Sequence, residues 1–170
     1  MTTDRQRKEI EEQSSMLFSQ IYSGTTSVSS LVNQLKGYAQ MEPQSREYET
    51  YLCMIESLFE ECRFFPKYPA RELKITGELF GALIRHGLIS EKTLGIALRC
   101  VLEALRRPPN SKMFHFGLLA VEQFLPLLPK WPHLCEHLVK IESIQQYFPT
   151  YSEYFQGVLS AVPHEMYQQI

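Results

Sequence analysis

His133-Leu134-Cys135-Glu136-His137 is the stretch of this chain that comes nearest to catalytic chemistry, because it fits the H-x-x-E-H pattern of inverted zinc peptidases. On a helix, positions i and i+4 face the same way, so His133 and His137 could share one zinc while Glu136 acted as general base. A hydrolytic centre also needs a third ligand and a cleft, and no acidic or His-bearing partner helix follows downstream. Pro132 places His133 in an exposed first turn. The two histidines read instead as surface residues flanking an inward Cys135, and no metal is expected.

The other reactive residue types are arranged no better for catalysis. Cys53, Cys62, Cys100 and Cys135 stand singly in apolar patterns without a CxxC pair, which reads as four reduced, buried, small hydrophobes with inert thiols. Glu60 and Glu61 are neighbours, about 100° apart around a helix, so they cannot work together as acid and base. A solvated face is their expected role, with Glu61 still able to meet a ligand. There is no GxxxxGK[ST] or GxGxxG loop to hold phosphate and no GxSxG elbow. The expectation is a protein that is not an enzyme and holds no cofactor.

Of the 170 residues 44% are apolar and 12% aromatic, and 17 Lys plus Arg stand against 19 Asp plus Glu, a net charge of −2. A chain of this length buries roughly 70% of the surface its unfolded form exposes, so its core needs no disulfide or metal. The balance of charge is unlike that of a protein that coats phosphate. Lys92, Arg99, Arg106, Arg107 and Lys112 gather around one predicted helix and its exit, but Glu91 and Glu103 interrupt them. The macrodipole alone accounts for two arginines in a last turn. RNA binding is therefore expected to be weak or indirect, and a nucleic-acid-binding helical repeat stands as the alternative function. No run approaches the roughly 18 apolar residues of a membrane span, and the opening MTTDRQRKEIEEQ is too polar for a secretory signal. An intracellular protein without a membrane segment is expected.

Apolar spacings of three and four recur throughout, and no segment alternates for long, so the chain reads as all-α. The first helix runs from about Arg5 to Tyr22 with Ile10, Leu17, Phe18 and Ile21 inward, and Ser23-Gly24-Thr25 ends it. The second starts at Ser27 and carries Val28, Leu31, Val32, Leu35 and Tyr38. The third, from Ser45, presents Tyr48, Leu52, Ile55, Leu58, Phe59 and Cys62 until Phe65-Pro66 stops it. Pro69 opens a fourth with Leu73, Leu79, Phe80 and Leu83, ending at Gly87. Ser90 caps a fifth with Leu94, Leu98, Val101, Leu102 and Leu105. Asn110 caps a sixth with Phe114, Leu118, Val121, Phe124 and Leu125, whose last turn Pro126 and Pro129 kink. Pro132 opens a seventh with Leu134, Leu138, Ile141 and Ile144. After Pro149 an eighth carries Tyr154, Phe155, Val158 and Leu159. About eight helices begin some twenty residues apart, and short turns between them force antiparallel pairs, which stack as a right-handed HEAT-like α-solenoid. An irregular bundle is the competing architecture.

Phe64-Phe65-Pro66-Lys67-Tyr68-Pro69 packs three aromatics and two prolines into one connector, and Phe18 and Tyr22 add two rings on one face of the first helix. Either these five rings close one end of the core, or part of their surface awaits a partner.

Leu58 to Pro69 (LFEECRFFPKYP), Leu73 to Thr76, Leu94 to Arg99, Val101 to Arg106 and Ser111 to Phe114 closely resemble one region of the large Not scaffold subunit of the cytoplasmic Ccr-Not deadenylase complex. The likeness runs from about Met16 to Leu138, and in animals that region is the tristetraprolin-binding domain, a HEAT-like module similar to the middle domain of the translation initiation scaffold. The length already predicts that residues 1–170 form a single helical domain, expected to be a monomer on its own, and the resemblance implies that it is an interaction domain cut from a much larger scaffold. It implies a non-catalytic role in messenger RNA deadenylation, decay and translational repression. Partners would be short helical peptide motifs of RNA-binding adaptors, with other deadenylase subunits held by the rest of the scaffold. The setting implied is the cytoplasm, with the nucleus as a second compartment. In the family an amphipathic peptide helix lies between the first helix and the FFPxYP turn, which carries over to Phe18, Tyr22, Glu61 and Tyr68. Cys62 replaces an aromatic expected from the family, a change to the groove floor or to the core.

Overall fold

The spacing of three and four is realised as helix. The computed structural model describes residues 3–161, and among them lie nine α-helices, two short 3-10 helices and no strand. The helices are α1 (Asp4–Ser23), α2 (Val28–Ala39), α3 (Arg46–Glu61), α4 (Ala70–Arg85), α5 (Glu91–Leu105), α6 (Lys112–Phe124), α7 (Pro132–Val139), α8 (Glu142–Tyr147) and α9 (Pro149–Ala161). The 3-10 segments are Cys62–Lys67 after α3 and Leu125–Lys130 after α6.

Local chemistry sets most boundaries. Thr3 and Gln6 form a reciprocal capping box at α1, and the hydroxyls of Ser27, Ser45 and Ser111 accept the orphan N–H groups of Ser30, Tyr48 and Phe114. Ser111, not Asn110, therefore caps α6. Ser90 occupies the N-cap of α5, but its hydroxyl meets Thr93 Oγ1 at 3.0 Å instead of a backbone N–H. Pro66 and Pro129 both fall inside 3-10 helices. A proline has no N–H for the α ladder, and the tighter turn takes over there.

The expected seventh helix is two, α7 and α8, broken at Lys140-Ile141. The Gln145 side chain donates to the Val139 carbonyl and so closes α7, while Ile141 adopts extended backbone. Leu138, Ile141 and Ile144 are nevertheless all buried, so the apolar stripe carries no sign of the break. In α3 the buried face is Thr50, Met54 and Leu58, while Tyr48, Leu52, Ile55, Phe59 and Cys62 lie along its half-buried margins. Tyr154 faces outward from α9 and donates to the Leu125 carbonyl.

Alternate helices lie side by side, α1 on α3, α2 on α4, α4 on α6 and α7 on α9, and hairpin contacts of α2 with α3 and α5 with α6 complete the stack. Glu9 of α1 pairs with Arg46 at the start of α3 at 2.7 Å. Gly77 and Gly81 of α4 face Phe116 and Ala120 of α6, both advancing four residues in the same direction, so α4 and α6 are parallel. This is a HEAT-like α-solenoid of antiparallel pairs. A Cβ on Gly81 would stand 2.3 Å from the Ala120 carbonyl oxygen, and one on Gly77 2.8 Å from that of Phe116. Only glycine allows this approach, which brings the fully buried Phe80 and Phe116 rings to 5.6 Å.

Candidate functional site

The five rings of the first helix and the FFPKYP connector do not share one fate. Phe65 is fully buried, packing on Phe80 and Phe116 with centroids 6.3 and 5.3 Å away, and anchors the 3-10 segment to α4 and α6. Phe64 points outward with the Arg63 guanidinium 4.8 Å over its ring. Phe18, Tyr22 and Tyr68 are half-buried. Part of the aromatic surplus is core, and part is a strip at the surface.

The strip is held from both sides. Phe18 and Tyr22, four residues apart on α1, stack with centroids 6.4 Å apart and planes 16° from parallel. The Tyr22 hydroxyl lies 2.7 Å from Thr76 Oγ1, and Thr76 itself donates to the Glu72 carbonyl at 2.7 Å. With its only proton spent on Glu72, Thr76 accepts and Tyr22 donates. The Tyr68 ring stands edge-on to Phe65 at 5.3 Å, and its hydroxyl donates to Glu61 Oε1 at 2.7 Å. Burial pushes both phenols above the ordinary tyrosine value of 10.0, and the bond to Glu61 adds to it at Tyr68. Both are neutral donors near pH 7.

Backbone groups are tied in as well. Arg71 donates to the Tyr22 carbonyl and Lys112 to the Tyr68 carbonyl, each at 2.7 Å. Gly24, in the left-handed region at φ 84°, ends α1 just beyond Tyr22. The four residues singled out in the sequence thus form one local constellation. Tyr22 and Tyr68 satisfy their polar tips internally and turn ring surface outward, while Glu61 is exposed and offers its second oxygen at the edge. Thr76, Arg71 and Lys112 were missed; they support the strip from α4 and α6, and no spacing in the sequence links them to Tyr22 or Tyr68.

The cysteines differ from expectation. Cys135 is buried and its thiol is pushed up to about 11 by burial, but Cys53, Cys62 and Cys100 are only half-buried. Cys62 hydrogen-bonds Cys100 of α5, which pushes the Cys62 thiol up, burial adding to it, and pulls Cys100 down. Cys62 thus joins the connector to α5. His133 Nδ1 lies 3.6 Å from Glu136 Oε2, and His137 Nδ1 faces the Arg106 guanidinium at 3.4 Å. No group of three or more His, Cys, Asp or Glu suited to a metal occurs among the described residues. Of the basic cluster, Arg106 is paired with Glu103 at 2.8 Å and Lys112 with the Tyr68 carbonyl.

Stacked helix pairs with a half-buried aromatic strip on the first helix and on the connector between α3 and α4 define a helical-repeat module of the HEAT type. Residues 1–164 match the family described as the TTP binding domain of CCR4-NOT transcription complex subunit 1, and the chain belongs to that family. It is 38% identical over 144 residues to general negative regulator of transcription subunit 1 of Schizosaccharomyces pombe, covering 85% of this chain and 7% of that protein. With the CCR4-NOT transcription complex subunit let-711 of Caenorhabditis elegans it shares 32% identity over 161 residues, 93% of this chain and 6% of that protein. The N-terminal domain of the yeast Not1 has the same fold, with a TM-score of 0.79 and 24% identity over 94% of this chain and 29% of that one. The chain therefore corresponds to a small part of the length of these relatives.

Proposed function

We propose that this chain is a non-catalytic docking module that takes short amphipathic helical peptides of RNA-binding adaptors, tristetraprolin-like motifs among them, on the strip of Phe18, Tyr22 and Tyr68. Glu61 stands at the polar rim, suited to a basic residue of the peptide. As one segment of a larger scaffold in the cytoplasm, and in the nucleus as a second compartment, it would bring adaptor-bound messenger RNAs to the deadenylase and so promote decay and translational repression. Other subunits would bind the rest of that scaffold. The observation that carries the reading is the pairing of a stacked Phe18–Tyr22 couple with a Tyr68 whose hydroxyl is already satisfied by Glu61. Aromatic surface fixed in place and free of unmet polar groups binds an apolar helix face at little entropic cost.

Fluorescence anisotropy of a labelled tristetraprolin C-terminal peptide against this chain and its Phe18→Ala variant tests the reading. Saturable binding that Phe18→Ala weakens at least tenfold supports it. No binding, or equal binding by both proteins, removes it.

A further inference from the structure

The side of α1 that bears Phe18 and Tyr22 continues beyond them. At about 100° per residue, Arg7, Glu11, Phe18 and Tyr22 share one flank of α1, beside the buried Ile10, Ser14, Leu17 and Ile21. Toward the amino end of the helix this flank opens on a groove of about 260 Å³ between α1 and α3. Ile10, Leu52 and Cys53 supply its apolar lining, and Glu11, Glu49, Glu56 and Arg7 its charged lining. Glu49, Leu52, Cys53 and Glu56 follow the i, i+3, i+4, i+7 pattern and so present one face of α3. Three carboxylates against one guanidinium leave the groove acidic. Glu9, on the other flank, is neutralised by Arg5 and Arg46, but Glu11, Glu49 and Glu56 make no ion pair with any described residue.

We infer that this groove receives the basic end of the same peptide helix, and that it selects adaptors carrying Lys or Arg around an apolar residue beyond their aromatic-strip anchors. The inference rests on the docking function proposed above and names the chemistry of the partner. From Arg7 to Tyr22 is roughly 15 residues of helix, about 22 Å at 1.5 Å per residue, so one straight helix of four turns reaches from the strip to Ile10 and Leu52. An apolar side chain there covers Ile10, Leu52 and Cys53, and flanking cations meet carboxylates that outnumber the one guanidinium of the groove. Charge complementarity of this kind sets partner choice and on-rate more than raw affinity.

The test uses a tristetraprolin C-terminal peptide, lengthened by a Lys-Leu-Arg-Lys tail at its amino end in one version and at its carboxyl end in another. Gln-Leu-Gln-Gln tails serve as neutral counterparts. Calorimetry at physiological salt should show one of the two basic tails tightening binding about tenfold over its neutral counterpart. The gain should vanish in Glu11→Gln/Glu49→Gln/Glu56→Gln and persist in Glu91→Gln/Glu142→Gln/Glu153→Gln, which removes the same charge elsewhere on the surface. The same peptide should shield Cys53 from iodoacetamide, read at that cysteine by mass spectrometry. If the unextended peptide binds but neither tail gives a gain, or if both triple variants abolish it alike, the groove assignment is overturned and the docking function stands. If no peptide binds in any form, both are overturned.

Discussion

Tyr22 and Thr76 are joined by a hydrogen bond of 2.7 Å that spans 54 residues of sequence, and Thr76 passes its own proton to the Glu72 carbonyl. The bond fixes the α1 edge of the aromatic strip to α4. Thr76→Val removes the acceptor and leaves the Tyr22 hydroxyl without a partner, at an expected cost of about 1–3 kcal/mol. Tyr22→Phe leaves Thr76 still bonded to Glu72 and should cost less, about 0.5–1.5 kcal/mol. Urea unfolding of the two variants checks the order, and a larger loss for Tyr22→Phe would show that the ring's hydroxyl is held by something else.

Gly81→Ala and Gly95→Ala should move stability in opposite directions. Ala120 leaves no room for a Cβ at Gly81, and the obstacle is backbone on a neighbouring helix, so the substitution should cost about 3 kcal/mol or more. A Cβ on Gly95 meets nothing within 4 Å, and alanine there should add about 0.5–1 kcal/mol of helix stability. Thermal melts of the pair are sufficient to read both signs.

Alkaline pH should destabilise the site only from about pH 10 upward, where the tyrosines of the unfolded chain ionise and those of the folded chain still hold their protons. Tyr22 and Tyr68 hold their protons above 10.0 in the folded protein, chiefly because they are buried, so above that pH the folded chain binds more protons than the unfolded one. Stability is then fully present below pH 10 and falls as the pH rises through the folded values. Tyr22→Phe/Tyr68→Phe should flatten the decline in melting temperature above about pH 10. Tyr51 and Tyr151, raised in the same direction, should keep part of it.

The basic residues near the end of α5 should not bind RNA tightly. Arg106 is engaged by Glu103 and Lys112 by the Tyr68 carbonyl, so few cations remain to displace counterions from phosphate. Filter binding across a salt series should show an affinity weaker than micromolar at physiological salt. Tighter binding with a steep salt slope, abolished by Arg99→Ala/Arg106→Ala/Arg107→Ala, would favour a nucleic-acid-binding repeat instead.

Most helices were readable because a residue with one local job bounds them, as Ser27, Ser45, Gly24 and Pro69 show. Phe18, Tyr22, Glu61 and Tyr68 were singled out by the resemblance together with the surplus of rings; the structure stacks Phe18 on Tyr22 and bonds Tyr68 to Glu61, with Tyr22 close enough to feel both Glu61 and Tyr68. What the sequence hid was polar or distant. Thr50 passes as a surface residue in a pattern search, yet it is buried because its hydroxyl donates to the Arg46 carbonyl one turn back. The α7–α8 break depends on a side chain, Gln145, reaching back to Val139, which apolar periodicity does not register. The acidic groove joins Glu11 to Glu49 and Glu56, residues that only the packing of α1 on α3 makes neighbours.

Calorimetric titration of a tristetraprolin C-terminal peptide against wild type and Tyr68→Ala decides whether Tyr68 meets a peptide or completes the core. Truncating an anchor in a desolvated groove costs on the order of 2 kcal/mol, so Tyr68→Ala should weaken binding roughly thirtyfold with helical content and melting cooperativity retained. Glu61→Lys should weaken it less, and mainly for a peptide with a cation at the rim. Wild-type affinity in Tyr68→Ala, or loss of the fold in place of loss of binding, would place that ring in the core and the docking groove elsewhere.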